Sequence, residues 1–154
     1  LRSDTMHLSL RFPVRAVIAT DLSYARDVGW VFQPQINVDF KDLFPAPGWN
    51  FGLAAGPLFA NKRYDNYFYG VAPQFATPQR PAYDADGGYA GMQYIAALSK
   101  RYPSFWVGAF VRADTLSGAV FEASPLVRQN ESFAAGFAFA WILGTSQKTV
   151  EAEE

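Results

Sequence analysis

The chain has 154 residues, with 13 Lys and Arg against 14 Asp and Glu, one His and no Cys. This balance excludes the basic stripe of a general nucleic-acid-binding protein, and the lack of Cys excludes disulfides, thiolate-bound metals and a thiol nucleophile. Half of the residues are hydrophobic, 17% are aromatic and only 18% are charged. With a single His, a His-rich metal site is also excluded, and we expect neither a metal nor a cofactor.

The sequence does not favour long helices. Ten prolines are spread along the chain, and proline interrupts a helix. The longest apolar stretch, residues 133–143, is shorter than the roughly 18–20 residues that a membrane-spanning helix requires. We therefore predict no transmembrane helix and no signal peptide.

Alternation of apolar and polar residues with a period of two is the main signal. In the first run, Leu8, Leu10 and Phe12 share one face, while Arg11 and Arg15 share the other. Similar runs follow, so that the sequence predicts strands over residues 6–19, 30–40, 49–59, 88–99, 105–115 and 132–143. Two weaker runs, 67–75 and 119–127, are further candidates.

The predicted strands are long, and their two faces differ. A tilted strand crosses a bilayer in roughly 9–11 residues, which these runs reach. One face carries large apolar and aromatic side chains, and the other carries Gln, Asn, Ser, Gly and Ala. We predict an all-β fold, an antiparallel up-and-down transmembrane β-barrel, possibly a partial barrel of six to eight strands; a soluble β-sandwich or lipocalin-like barrel is the alternative. Pro34 and Pro57 then have to lie at bulges or outside the hydrocarbon.

The connections indicate a single domain. Residues 100–104 read as a tight hairpin turn, and residues 60–87 as a long excursion of the kind that carries function or lies at a barrel mouth. We assign residues 1–143 to the barrel. Residues 144–154, which end in Glu151, Glu153 and Glu154, are expected to form a disordered acidic tail.

Three segments, taken in order, resemble the MltA-interacting protein (MipA/OmpV) family of Gram-negative outer membranes, and specifically the C-terminal part of a member. They are Gly56-Pro57-Leu58-Phe59 with the following Tyr64-Asp65-Asn66-Tyr67-Phe68-Tyr69-Gly70-Val71, Pro81-Ala82-Tyr83-Asp84-Ala85-Asp86-Gly87-Gly88, and the segment from Ala119 through Ser124-Pro125-Leu126-Val127 before the last strand. The resemblance implies an outer-membrane β-barrel without enzymatic activity. It also implies a scaffold that brings a lytic transglycosylase together with a penicillin-binding protein in murein growth, in contact with outer-membrane lipid. From the charge balance we expect no nucleic-acid partner. A small porin-like or ligand-binding barrel is the alternative function.

Two groups of side chains are candidate sites. Inward charges could select a polar solute or simply form ion pairs across a narrow lumen; they are Arg11, Arg15, Asp39, Arg112 and Asp114, with Glu122 as a further candidate. Aromatic residues of the long excursion could recognise a partner or a glycan, or form an interfacial belt; they are Tyr64, Tyr67, Tyr69 and Tyr83.

Catalysis is the less favoured interpretation. His7 and Ser9 lie on one side of a strand, as in a lipase-like pair, but the sequence places no oxyanion hole beside them. Asp114 and Glu122 could form a glycosidase pair only if their carboxyl groups lay about 5–9 Å apart. We predict no catalytic residue.

Overall fold

The computed structural model describes residues 5–21, 23–42 and 47–144. The first two strands run in one direction and the next two in the opposite direction, and from the fifth strand onward the direction alternates. The one α-helix among these residues follows the fifth strand. The elements are β1 Met6–Arg11, β2 Val14–Thr20, β3 Ala25–Phe32, β4 Gln35–Lys41, β5 Trp49–Ala60, α1 Lys62–Tyr69, a 3-10 turn Pro73–Phe75, β6 Gly88–Arg101, β7 Phe105–Thr115 and β8 Glu131–Trp141.

All eight strands belong to one antiparallel sheet with the order β1-β4-β5-β6-β7-β8. Strand β2 pairs with β3, and β3 pairs with the far end of β5. In the described part of the chain β8 pairs only with β7, so the sheet is open. The predicted all-β class is therefore confirmed, in the form of a partial barrel.

Prolines divide two of the predicted strands. The run 6–19 is interrupted at Phe12–Pro13 and the run 30–40 at Gln33–Pro34, which is why each gives two strands. The two interruptions face each other, since Gln33 N donates a 3.1 Å bond to Pro13 O. Pro57 stays within β5 beside this gap: pairing with β4 ends at Ala55, and pairing with β3 starts at Phe59. Its missing N–H thus removes no bond on the interrupted side.

The sheet has an apolar face and a polar face. Directly paired residues point to the same side of a sheet, so one cross-strand row of the apolar face reads Phe40, Phe51, Leu98, Ala109 and Phe137. Large rings on this face are strongly exposed, with Phe133 at 81% and Phe137 at 90%. The orientation predicted for the aromatic residues of the last strand is therefore found.

The polar face also carries two large aromatic rings, those of Trp106 and Phe110, which apolar–polar alternation did not predict on this face. A Cβ added at Gly108 would overlap the Trp106 ring, and one added at Gly136 would overlap the ring of Phe110. The two rings thus pack against glycines, and the absence of a Cβ there leaves room for them on the polar face.

The buried core lies at one end of the sheet, beneath α1 and residues 116–127. Its buried members are Val31, Ala60, Ala85, Ala90, Ala119 and Phe121. The two weaker strand predictions, 67–75 and 119–127, are wrong. Residues 62–69 form α1, which Asn61 caps through a 3.2 Å bond from Tyr64 N to its side-chain oxygen. Residues 119–127 form consecutive turns, with Ser124 N bonded to Phe121 O.

The turn predicted at 100–104 is present between β6 and β7, closed by a bond from Tyr102 N to Phe105 O. The excursion 60–87 contains α1 and the 3-10 turn rather than a plain loop. Of the predicted acidic tail, residues 145–154 lie outside the described residues. Within the described ranges, no helix combines the length and the apolar composition needed to cross a membrane.

Candidate functional site

Side chains on the polar face form a continuous chain of hydrogen bonds across the sheet. Arg15 on β2 donates through Nη2 to Gln33 Oε1, and Gln33 Nε2 donates to Gln93 Oε1 on β6 over 2.9 Å. Gln93 Nε2 in turn donates to Asp114 Oδ1 on β7 over 2.8 Å. The second oxygen of this carboxylate accepts a 2.8 Å bond from Arg112 Nε. We call these residues the polar chain.

The direction of every bond in the polar chain is determined at both ends. A carboxylate only accepts, so Gln93 must present its NH2 group to Asp114 and its carbonyl to Gln33. A guanidinium only donates, so Gln33 must present its carbonyl to Arg15 and its NH2 group to Gln93. The two requirements agree. The amides therefore have a single consistent orientation, and the side chains are held in place before any ligand arrives.

The polar chain lines a cavity of about 780 Å³ between the polar face and α1. Across the cavity from the polar chain, α1 and the turns after β7 contribute Tyr64, Tyr69, Leu116 and Phe121. On the sheet itself, Val17 and Leu58 line the cavity from the same face as the polar chain. The rings of Tyr69 and Phe121 stack with their centroids 3.8 Å apart and a 10° angle between planes. Burial raises the pKa of both Tyr64 and Tyr69, so their hydroxyl groups stay protonated.

The charges at this cavity do not cancel. Asp114 is paired with Arg112 and also accepts from Gln93. Within the described ranges Arg15 has no carboxylate partner, and its one hydrogen-bond acceptor is the neutral amide of Gln33. Glu131 borders the cavity, but it is in register with Thr115, one position from Asp114, so strand alternation places it on the apolar face. Among the charged side chains that the polar face contributes to the cavity, two arginines therefore face one carboxylate.

Of the predicted inward charges, the structure brings together Arg15, Arg112 and Asp114. Arg11 is exposed and in register with Gln35, and it does not border the cavity. Asp39 lies nearer the opposite end of the sheet, in register with His7 and Gly52. The predicted set thus separates into one connected group and two residues apart from it.

The predicted aromatic set also divides. Tyr64 and Tyr69 line the cavity, whereas Tyr67 and Tyr83 line a separate pocket of about 760 Å³ on the other side of α1. We call the latter the outer pocket. The guanidinium of Arg26 lies 5.6 Å from the Tyr67 ring centroid, a cation–π distance.

Asp65, on α1, is completely buried, and neither carboxyl oxygen has a hydrogen-bond partner. Desolvation raises the pKa of this carboxyl to about 7. Sequence reasoning singled out neither Asp65 nor the glutamines of the polar chain. A Gln on a small-polar strand face gives no signal of its own, and only the excess of amides on that face pointed toward such a network.

The geometry offers no support for the catalytic alternatives. Glu122 already accepts bonds from Gly118 N at 2.7 Å and Asn130 Nδ2 at 2.6 Å, while Asp114 belongs to the polar chain. In the described residues, the Ser9 hydroxyl is buried without a partner, His7 included. Over the same residues, no group of three or more His, Asp and Glu side chains is placed to hold a metal ion.

Comparison with known proteins gives one match. The model of the MltA-interacting protein MipA family matches residues 2–143. No curated protein and no solved structure matches the chain. The matched range covers all the strands described above and includes the polar chain, the cavity and the outer pocket. The chain therefore belongs to the MltA-interacting protein MipA family.

Proposed function

We propose that this chain forms part of a non-enzymatic outer-membrane β-barrel that acts as a scaffold or interaction protein of the cell envelope. Family membership suggests an outer-membrane protein that interacts with MltA, a lytic transglycosylase. In this proposal the lytic transglycosylase is the first partner, a penicillin-binding protein the second, and outer-membrane lipid covers the apolar face.

The exposed apolar face is the observation that carries the proposal. Phe133, Phe137 and Trp141 on β8 are 81%, 90% and 67% exposed. In water, contiguous exposure of this kind marks an interaction surface or an aggregation liability, whereas hydrocarbon removes the cost of exposing the rings. Neighbouring residues of the same strand are Ala134, Gly136 and Ala138, which suit a narrow lumen.

Adjacent residues of β8 provide a matched test. Phe137→Arg places a charge on the apolar face, and Ala138→Arg places the same charge on the polar face. In phosphatidylcholine vesicles, we expect Phe137→Arg to lower the free energy of unfolding by about 2–4 kcal/mol, because a charge then faces the hydrocarbon. Ala138→Arg is expected to change it by about 1 kcal/mol or less. Equal effects, or a wild-type chain that is monodisperse in plain buffer, would contradict the membrane assignment.

The outer pocket is the proposed contact surface for the partner. Tyr67 is 44% exposed there, and Phe75, which also lines it, is 64% exposed. Exposed Tyr rings give rigid amphipathic contact area, and they are enriched in binding hot spots. We expect Tyr67→Ser to weaken binding of the purified lytic transglycosylase about tenfold. Tyr24→Ser, at a Tyr of the β2–β3 turn that is 67% exposed and does not line the outer pocket, should leave binding unchanged. Equal loss in both variants would argue against this surface.

A further inference from the structure

We propose that the cavity beneath α1 binds a small organic anion that combines a carboxylate with an apolar or aromatic body. The carboxylate is held at Arg15, with Arg112 as the second cation, and the body lies against the aromatic wall. This binding activity is separate from the scaffold role and does not rest on it.

Charge determines the sign of the ligand. Arg15 donates to a neutral amide and, in the described part of the chain, has no carboxylate within ion-pair distance. Arg112 uses Nε for Asp114, and its Nη nitrogens have no hydrogen-bond partner in the same part of the chain. Both arginines border the cavity. Guanidinium groups with free donors bind carboxylates through paired charge-assisted hydrogen bonds.

Arg15 is exposed, but the polar chain fixes its guanidinium through Gln33. Its acceptor, Gln33, is 2% exposed and is itself fixed by Gln93. Because both amides have only one consistent orientation, Arg15 loses less conformational freedom when a ligand binds. A buried polar side chain of this kind, bonded to a cation at the cavity wall, is typical of a site with few well-placed polar groups.

The opposite wall and the volume determine the rest of the ligand. About 780 Å³ lies within the range of small-molecule pockets, roughly 300–1,000 Å³. The Tyr69–Phe121 stack offers an aromatic surface across the cavity from the polar chain, and Val17 and Leu58 add apolar side chains beside the polar chain on the sheet. A polar sugar would place hydroxyl groups against these apolar side chains. An aromatic or aliphatic carboxylate can instead pack its body against them and pair its charge with Arg15.

The test compares three probes of one shape, titrated calorimetrically into the detergent-solubilised protein, with empty micelles as the blank. The probes are 2-naphthoate, 2-naphthylmethanol and 2-naphthylmethylamine, which are anionic, neutral and cationic. We expect 2-naphthoate to bind at least tenfold more tightly than the other two, because only the anion can pair with Arg15. Equal binding of the three probes would overturn the proposal, since it would indicate only apolar partitioning.

Variants locate the site. Arg15→Gln removes the unpaired cation, and we expect it to weaken 2-naphthoate about tenfold without affecting 2-naphthylmethanol. Arg15→Lys keeps the positive charge but loses the paired N–H donors of the guanidinium, and we expect an intermediate affinity for 2-naphthoate. Arg11→Gln is the matched control, because Arg11 is an exposed Arg of the preceding strand that does not border the cavity. Equal losses in Arg15→Gln and Arg11→Gln, or no loss in Arg15→Gln while its circular dichroism spectrum remains that of wild type, would overturn the assignment.

Discussion

Gln33 and Gln93 share a 2.9 Å hydrogen bond although their strands are not neighbours in the sheet. Gln33 follows β3 and Gln93 lies in β6, while β5 runs between these strands. The β5 residue in register with Gln93 is Gly56, which has no side chain to obstruct the bond. Long-range contact between the two amides thus depends on a glycine in the intervening strand.

Removing the central amide of the polar chain should be costly. Gln93→Leu deletes the donor to Asp114 and the acceptor of Gln33, and it leaves the buried Gln33 NH2 group unsatisfied. We expect the free energy of unfolding to fall by about 1–3 kcal/mol, measured by urea titration in detergent. Gln79→Leu, in the exposed excursion, is the control and should change stability by about 0.5 kcal/mol or less. A loss no larger than that of the control would show that the hydrogen bonds of the polar chain add no stability.

A methyl group at Gly56 should disrupt the same region. A Cβ at this position would overlap the carbonyl oxygen of Pro34 and crowd Gln35, and these are backbone atoms that cannot rotate away. Gly56→Ala is therefore expected to destabilise the protein by about 1–3 kcal/mol. Gly144→Ala meets no atom within 4 Å and serves as the control in the same thermal unfolding experiment. Stability equal to that of the wild type would contradict the tight approach of β5 to Pro34.

The raised pKa of Asp65 should make the free energy of unfolding depend on pH in an unusual direction. Its pKa is raised from 3.8 to about 7 in the folded chain, so the folded state binds the proton more tightly than the unfolded state. The free energy of unfolding should therefore fall as the pH rises from about 4 to about 7, by a total on the order of 4 kcal/mol, and then level off. Asp65→Asn keeps the shape but cannot ionise, and it should flatten this profile and be more stable than wild type at pH 8.

The control for this profile is Glu131→Gln, which neutralises an exposed carboxyl. Unfolding of each variant would be followed by tryptophan fluorescence at a series of pH values. An Asp65→Asn variant that kept the wild-type slope would show that another group causes the pH dependence.

The aromatic stack should contribute strongly to the core. Phe121 is 1% exposed and stacks on Tyr69, so Phe121→Ala removes the largest fully buried side chain in the described ranges. We expect a loss of about 3–5 kcal/mol in the free energy of unfolding. Phe75→Ala removes the same ring from a position that is 64% exposed and should cost far less. Similar losses in thermal scans of the two variants would contradict the core position of Phe121.

Much of the sheet could be read from alternation because strand faces repeat every second residue. The exposure of Phe133 and Phe137 follows from that period alone, and the interruption at Pro34 follows from its missing N–H. The strand prediction for residues 67–75 is wrong because aromatic residues occur in strands and in short helices alike. Asn61, a good N-cap residue, is the feature of the sequence that indicates the helix.

The polar chain could be predicted from the sequence only in part. Charges such as Arg15, Arg112 and Asp114 are visible as residues on the polar faces of strands. Their connection through Gln33 and Gln93 depends on how the sheet curves over Gly56, and a period of two carries no information about curvature. Burial of Asp65 likewise depends on packing of α1 against segments distant in sequence.

The interruptions at Pro13 and Pro34 have a mechanical consequence. They separate the β2–β3 hairpin from β1 and β4. In the described residues, the backbone link of that hairpin to β5 consists of the pairs Val31 with Ala60 and Phe32 with Phe59 and a 3.2 Å bond from Asn61 N to Trp30 O. Side chains, rather than the strand ladder, therefore hold much of the hairpin in position. We therefore expect a substitution that breaks the Gln33–Gln93 bond to change the shape of the cavity as well as the stability of the fold.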